Sequence, residues 1–342
     1  MIGAIPLRKD YVAGLVSGIV YEERLPDGNW KKYRSRGEKQ FGVYMDSMGC
    51  VSFSFANGVE ENIDWLKKTN QLSIETVKKL LPKEEDQMKF LEFFNDDGKV
   101  DLSDRALAKL SNTTEEGNML SLVARTGRSK AVPERKWPFP SEQRDPVFDW
   151  DDFYKEIPEE LVKEYSRVFF TVFKIETEFI NPTWENIKYH LKQAPIQIAS
   201  GICPGWDTDR PIKTCDRHND HATLIDGQKE MSYELFDHYP PFDKELEKGY
   251  KIDGALKIIV SVKKPINIIP MIVKENTLYQ LVEHPGGFAL GLNGKLIIDD
   301  IAKILASWLV RNNGKTESKV ATCLLKDWNS VPHINLKGEK VN

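Results

Sequence analysis

The chain has 342 residues, with 48 Lys and Arg against 52 Asp and Glu and a formal charge of -4. That balance, with no local basic run, excludes a nucleic-acid binder held by bulk charge. Four cysteines, at 50, 203, 215 and 323, make no disulfide framework, and the lack of a CxxC pair excludes the usual cysteine zinc site. The N-terminus has no long apolar core of the signal-peptide kind. No window reaches the ~20 apolar residues of a membrane span, so neither a secretory signal nor a transmembrane helix is expected. Such a chain has enough length for one full core and a smaller appendage.

Residues 1–40 read as an extended segment with a strand and a turn at Pro26-Asp27-Gly28-Asn29. Short polar residues and Gly49 precede Cys50, and the apolar spacing of Val51, Phe55, Val59, Ile63 and Leu66 predicts a helix from Cys50 to about Lys68. A thiol at the first turn of a helix meets the positive end of the macrodipole, which favours the thiolate. Ser73 caps a second helix that ends before Pro82, and Asp96-Asp97-Gly98-Lys99 is a turn with too few carboxylates for a calcium loop. Ser103 caps a short helix over 102–111, another follows at 119–130, and 132–140 is a Pro-punctuated strap.

Acidic residues 141–164 read as a connection with a short helix from Pro158. Beyond them the pattern predicts strands at 168–180, 195–200, 221–228, 233–239 and 255–264, with a helix at 183–193. Helices first and strands later predict an α+β protein of two lobes with a cleft between them. From about 276 a new rhythm begins, with glycines at hairpin turns, then a helix over 300–310 and a last strand near Cys323, so 276–342 is expected to be a small appended module.

Three patterns then fall in a fixed order. Gln40 precedes Cys50-Val51-Ser52-Phe53-Ser54; Asp220-His221-Ala222 opens a strand; and Glu234-Leu235-Phe236-Asp237-His238-Tyr239 closes another. With the 102–111 segment, Gly117-Asn118, the 132–139 strap, Ala194-Pro195-Ile196 and Gly249-Tyr250 between and after them, this series resembles the papain-like cysteine peptidases, above all the divergent forms encoded by phages and viruses. The resemblance spans roughly residues 5–265. It implies a papain-like fold over 1–275, with a helical lobe at about 40–140 and a β-rich lobe at about 165–275.

The resemblance assigns roles residue by residue. Cys50 is the expected nucleophile, His221 its proton acceptor, and Asp237 the group that orients the imidazole. Gln40 is the expected side-chain donor of the oxyanion hole beside the backbone N–H of Cys50. Gly117, Asn118 and Asp220 are the expected substrate-cleft residues, and Tyr239 shields the His–Asp pair from water. Val51 stands where the family has Trp, Asp237 where it has Asn, and Tyr239 where it has Trp. Gln40 lies 50 − 40 = 10 residues before the nucleophile, and His221 lies 221 − 50 = 171 after it.

His218 is a second candidate base. Residues Cys203 and Cys215, which flank a Trp-containing loop, either pair locally or stay free. The chain begins where the mature family enzyme begins, so no N-terminal prosegment is expected. The implied activity is a hydrolase of peptide bonds acting on peptide or protein substrates, with no metal or organic cofactor, in a cytoplasmic or virion-associated setting. In that setting 276–342 would dock it to a larger assembly. Two rivals use the same residues: a virion structural or docking protein with little turnover, and a Cys–His amidase or acyltransferase acting on peptidoglycan or isopeptides.

Overall fold

Helix α1, Cys50–Lys68, is buried at every position from Cys50 through Leu66. The computed structural model describes residues 23–41, 45–139, 149–208 and 211–263 and the strands at 268–274, 277–284, 287–292 and 295–298. On one side α1 packs against α4 (Asp104–Leu110) and α5 (Leu120–Gly127), and on the other against the face of an antiparallel sheet. Between them in the chain come α2 (Ile74–Leu80) and α3 (Glu84–Leu91). The short α6 (Trp150–Phe153) and the longer α7 (Glu159–Val172) follow α5. The sheet runs in the order β1-β6-β2-β3-β4-β5, built from Phe173–Ile180, Ile252–Val262, Ile196–Ser200, His221–Gln228, Ser232–Phe236 and Asp243–Glu247. Helix α8 (Trp184–Leu191) lies between β1 and β2 in sequence. The fold is α+β.

The helix starts follow the expected chemistry. Ser73 and Ser103 accept hydrogen bonds from Thr76 N–H and Ala106 N–H, each at 3.1 Å, so each satisfies one of the donors that a helix N-terminus leaves open. Two strand expectations need correction. Residues 168–172 are the end of α7, because Val162, Tyr165, Val168, Phe169 and Val172 bury one helical face; alternating burial begins only at Phe173. The strand expected over 233–239 stops at Phe236, where Asp237 N–H turns back to Phe242 O at 2.9 Å, and Pro240 and Pro241 offer no N–H for a ladder. The sequence reading missed β5. Residues 23–40 contain no strand, and 1–22 lie outside the described residues.

A helix buried all round must satisfy its polar side chains internally. Asn62 does so by donating to Gly58 O at 2.7 Å and Ile258 O at 3.0 Å and accepting from Val260 N–H, which ties α1 to β6. Glu60 accepts from Leu102 N–H at 2.7 Å. Glu60, Asp104 and Glu134 are all held well above the usual carboxylate range, first by burial and then by one another and their acidic neighbours Glu38 and Asp101. Folded values above the unfolded ones mean the folded state holds extra protons, so this stabilisation is full at acid pH and is lost as pH climbs from about 4.5 through the folded values. Calorimetric melting temperatures should therefore fall between pH 5 and pH 8. Glu60→Gln, which keeps an acceptor for Leu102, should flatten that fall; an unaltered slope would show that Glu60 is ionised throughout.

The second unit runs from Lys263 to Asn342 and so begins ahead of position 276. It contains a four-stranded antiparallel sheet in the order β10-β9-β8-β7, built from Lys295–Ile298, Gly287–Leu292, Thr277–His284 and Ile268–Lys274. Strands β8 and β9 pair as far as His284 opposite Gly287, and residues 285–286 lie outside the described residues. The helix expected over 300–310 and the strand near Cys323 lie outside the described residues.

Candidate active site

Cys50 is the first residue of α1, and its position is fixed from two sides. Within the helix, Ser54 Oγ donates to Cys50 O at 2.7 Å. From the sheet, the buried amide of Gln197 on β2 donates to Val51 O and Ser54 Oγ, both at 2.7 Å, so the first turn of α1 is pinned to the strand beneath it. The loop leading in is tightly drawn. Met48 takes the left-handed conformation (φ 55°), unusual for a residue with a side chain. Its N–H is held by Asp46 Oδ1 at 2.8 Å.

His221 begins β3, opposite Ser200 on β2, and Asp237 follows the last residue of β4. Between them His221 Nε2 and Asp237 Oδ1 are 2.6 Å apart, and both side chains are buried. The imidazole is also hydrogen-bonded to the Cys50 thiol. With Nε2 committed to Asp237, the other ring nitrogen, Nδ1, is the one left for the sulfur. The second oxygen of Asp237 accepts from Trp206 Nε1 at 2.7 Å and has Lys244 Nζ at 3.6 Å. Trp206 stands edge-on to the imidazole at 89° with ring centres 5.4 Å apart, and Tyr239 covers it at 5.3 Å.

Burial alone would push His221 down, but the charge and hydrogen bond of Asp237, followed by Cys50, reverse this and raise it from 6.5 to about 10. Burial would likewise raise Asp237, yet its imidazolium partner outweighs that and lowers it to about 2. The site at neutral pH therefore holds an imidazolium between a sulfur and a carboxylate. This arrangement suits attack by a thiolate and proton return by the ring.

The remaining expected residues fall around this chain of three. Gln40 is buried in the same neighbourhood, and its Nε2 donates to Asp46 Oδ1 at 2.9 Å and to Tyr239 Oη at 2.8 Å. Tyr239 Oη donates in turn to Asp46 and stacks its ring on Phe41. Asn118 spends its amide on Ser111 and Thr113, and its oxygen on Met119 N–H at 2.7 Å, so it braces the loop in which Gly117 takes a φ of 97°. Asp220 accepts from Ile202 N–H at 2.6 Å, which holds the turn before His221. His218 faces away to Asp253 at 2.9 Å. His238 packs on Phe53 with ring centres 5.3 Å apart, and burial lowers it to about 3, so it is neutral.

Cys203 and Cys215 form a disulfide, with Cα atoms 5.7 Å apart, that closes the loop carrying Trp206. A pocket of about 400 Å³ opens beside that loop, lined by Phe41, Trp206, Tyr239 and Pro240, with Asp207 and Arg217 also on its wall. Among the described residues no group of three or more His, Cys, Asp or Glu is placed to hold a metal ion, and no helix is long and apolar enough to cross a membrane. Sequence reasoning missed Asp46, Trp206 and Lys244. A Trp between two cysteines was visible as a signal; a Lys in Asp243-Lys244-Glu245-Leu246-Glu247 reads as one more surface charge.

No protein-family model matches the chain, and no curated protein matches it. Among solved structures, the cysteine protease CMS1MS2 of Carica candamarcensis, in complex with E-64, is similar at 12% identity and a TM-score of 0.41, over 68% of this chain and 96% of the other. The functional reading accordingly stands on the residues of the chain itself.

Proposed function

We propose that the chain is a papain-like cysteine endopeptidase with Cys50, His221 and Asp237 as its catalytic residues, the helices and the β1–β6 sheet supplying its two lobes. The observation that carries this reading is the buried hydrogen-bonded series from the Cys50 thiol through His221 to Asp237. The proton of the Cys50 thiol rests on His221 Nδ1 in the resting pair, and the thiolate sulfur adds to the peptide carbonyl carbon. The oxyanion formed is met by the Cys50 N–H and by Gln40, whose amide exchanges one of its present acceptors for it. As the C–N bond breaks, the imidazolium gives its proton to the departing amine, leaving a thioester. Water then loses a proton to His221 and attacks the thioester, releasing the acid and restoring the thiol. The residue following the cut would leave past the pocket at Trp206 and Tyr239.

The test is labelling by a thiol-directed epoxide, mapped by mass spectrometry. The adduct should sit on Cys50 and vanish in Cys50→Ala while circular dichroism stays unchanged. An adduct elsewhere, formed as fast in the variant, would move the nucleophile.

One observation favours a second reading, a protein that keeps this arrangement with little turnover. Cys50 has 0% exposure and His221 1%, so a substrate must open a way to the sulfur. Cleavage of a fluorogenic peptide separates the two.

A further inference from the structure

Strand β5 alternates outward and inward, and its two inward positions are Lys244 and Leu246. A lysine with a fully buried side chain at a position patterned for an apolar residue is costly unless it is paired. Its Nζ donates to Pro241 O at 2.8 Å and lies 3.6 Å from Asp237 Oδ2, on the side of the carboxylate away from His221. We propose that Lys244 is a positioning residue of the candidate site: its ammonium offsets part of the charge of Asp237, so that the carboxylate orients the imidazole while holding the proton on it less tightly. This rests on the peptidase reading above.

Thiolate and imidazolium together are neutral. A full carboxylate against the ring adds an unbalanced negative charge in a site closed to water, and it strengthens the imidazolium at the expense of its ability to give the proton up. A cation on the far oxygen restores neutrality over the set of four. The other groups facing the pair do not do this. From α1 comes Cys50, already counted; His238 beside Asp237 is neutral; Tyr239 bonds away to Asp46 and Gln40; Trp206 is a neutral donor. On β5 itself, Asp243 faces Arg34 and Lys31, and Glu245 is engaged by Lys229 and Ser232.

The test follows the His221 ring by NMR with 13C-labelled histidine in the Cys50→Ala background. That background removes the thiol's own pull on the proton and makes the measurement independent of turnover. Lys244→Met takes a positive charge away from the imidazolium, so its titration midpoint should rise by about one pH unit or more. Asp237→Asn should lower it, and the double variant should return towards the parent. If Lys244→Met does not fold, Asp237→Asn compared with Asp237→Asn/Lys244→Met reads the same coupling, the midpoint being lower where the lysine remains. A midpoint indifferent to Lys244 in both comparisons overturns the proposal and leaves it a prop for Pro241. Failure of the peptidase reading would show separately, as an absence of cleavage by the unsubstituted protein.

Discussion

Replacing His221 with glutamine should lower kcat/KM for peptide cleavage by about 10³-fold or more, the loss typical when a thiol or hydroxyl nucleophile is deprived of its base. Glutamine can still fill the space beneath Trp206, but it neither accepts the Cys50 proton nor returns one to the departing amine. The substitution also carries a pH signature in stability. His221 is raised from 6.5 to about 10, so its pairing stabilises the fold fully below pH 6.5 and that contribution disappears as pH rises through 10. Asp237, lowered from 3.8 to about 2, contributes above pH 3.8 and loses its share as pH falls through 2. His221→Gln should therefore be most destabilised relative to the parent between pH 4 and pH 6.5, and should converge on it in strong alkali. Progress curves with a fluorogenic peptide check the first claim, and a fall of less than tenfold would remove His221 from the reaction.

Gly201→Ala should damage stability and activity together. A Cβ at Gly201 would lie 2.4 Å from the backbone carbonyl carbon and oxygen of Arg217, and backbone cannot rotate aside as a side chain can. The two chain segments involved lead to Trp206 on one side and to His221 on the other, and Tyr250 Oη donates to Gly201 O between them. Forcing them apart costs about 1–3 kcal/mol by the usual scale of overpacking. It also draws Trp206 off Asp237, so kcat/KM should drop at least ~10-fold through the altered orientation of the base. Urea denaturation and the peptide assay together check this. A variant as stable as the parent would mean that the loop has slack that the structure does not show.

The expected helix over Cys50–Lys68 and the caps at Ser73 and Ser103 were legible because they depend on neighbours in sequence. So was the approach of Cys50, His221 and Asp237, although only through the order of three motifs; spacing alone could not bring residues 171 apart face to face. What was not legible depends on partners fixed by tertiary packing. The run at 168–172 is rich in Val and Phe and reads as a strand, yet it closes α7 because Tyr165, Val168, Phe169 and Val172 share one buried face. Asp46 looks like a turn residue, but it binds Gln40, Met48 and Tyr239 at once. Between Gln40 and Cys50, this carboxylate and the left-handed Met48 make a local arrangement with no sequence pattern of its own.

The link between Cys203 and Cys215 has a practical bearing on handling the protein. The nucleophile proposed for this chain, Cys50, works only while reduced, yet the loop whose indole grips Asp237 is closed by an oxidised pair. Mild thiol buffers that keep Cys50 ready and leave the bridge intact thus define one preparation. Harsh ones that open the bridge define another, in which the base loses its outer brace. Protocols that differ only in dithiothreitol dose compare two distinct molecules.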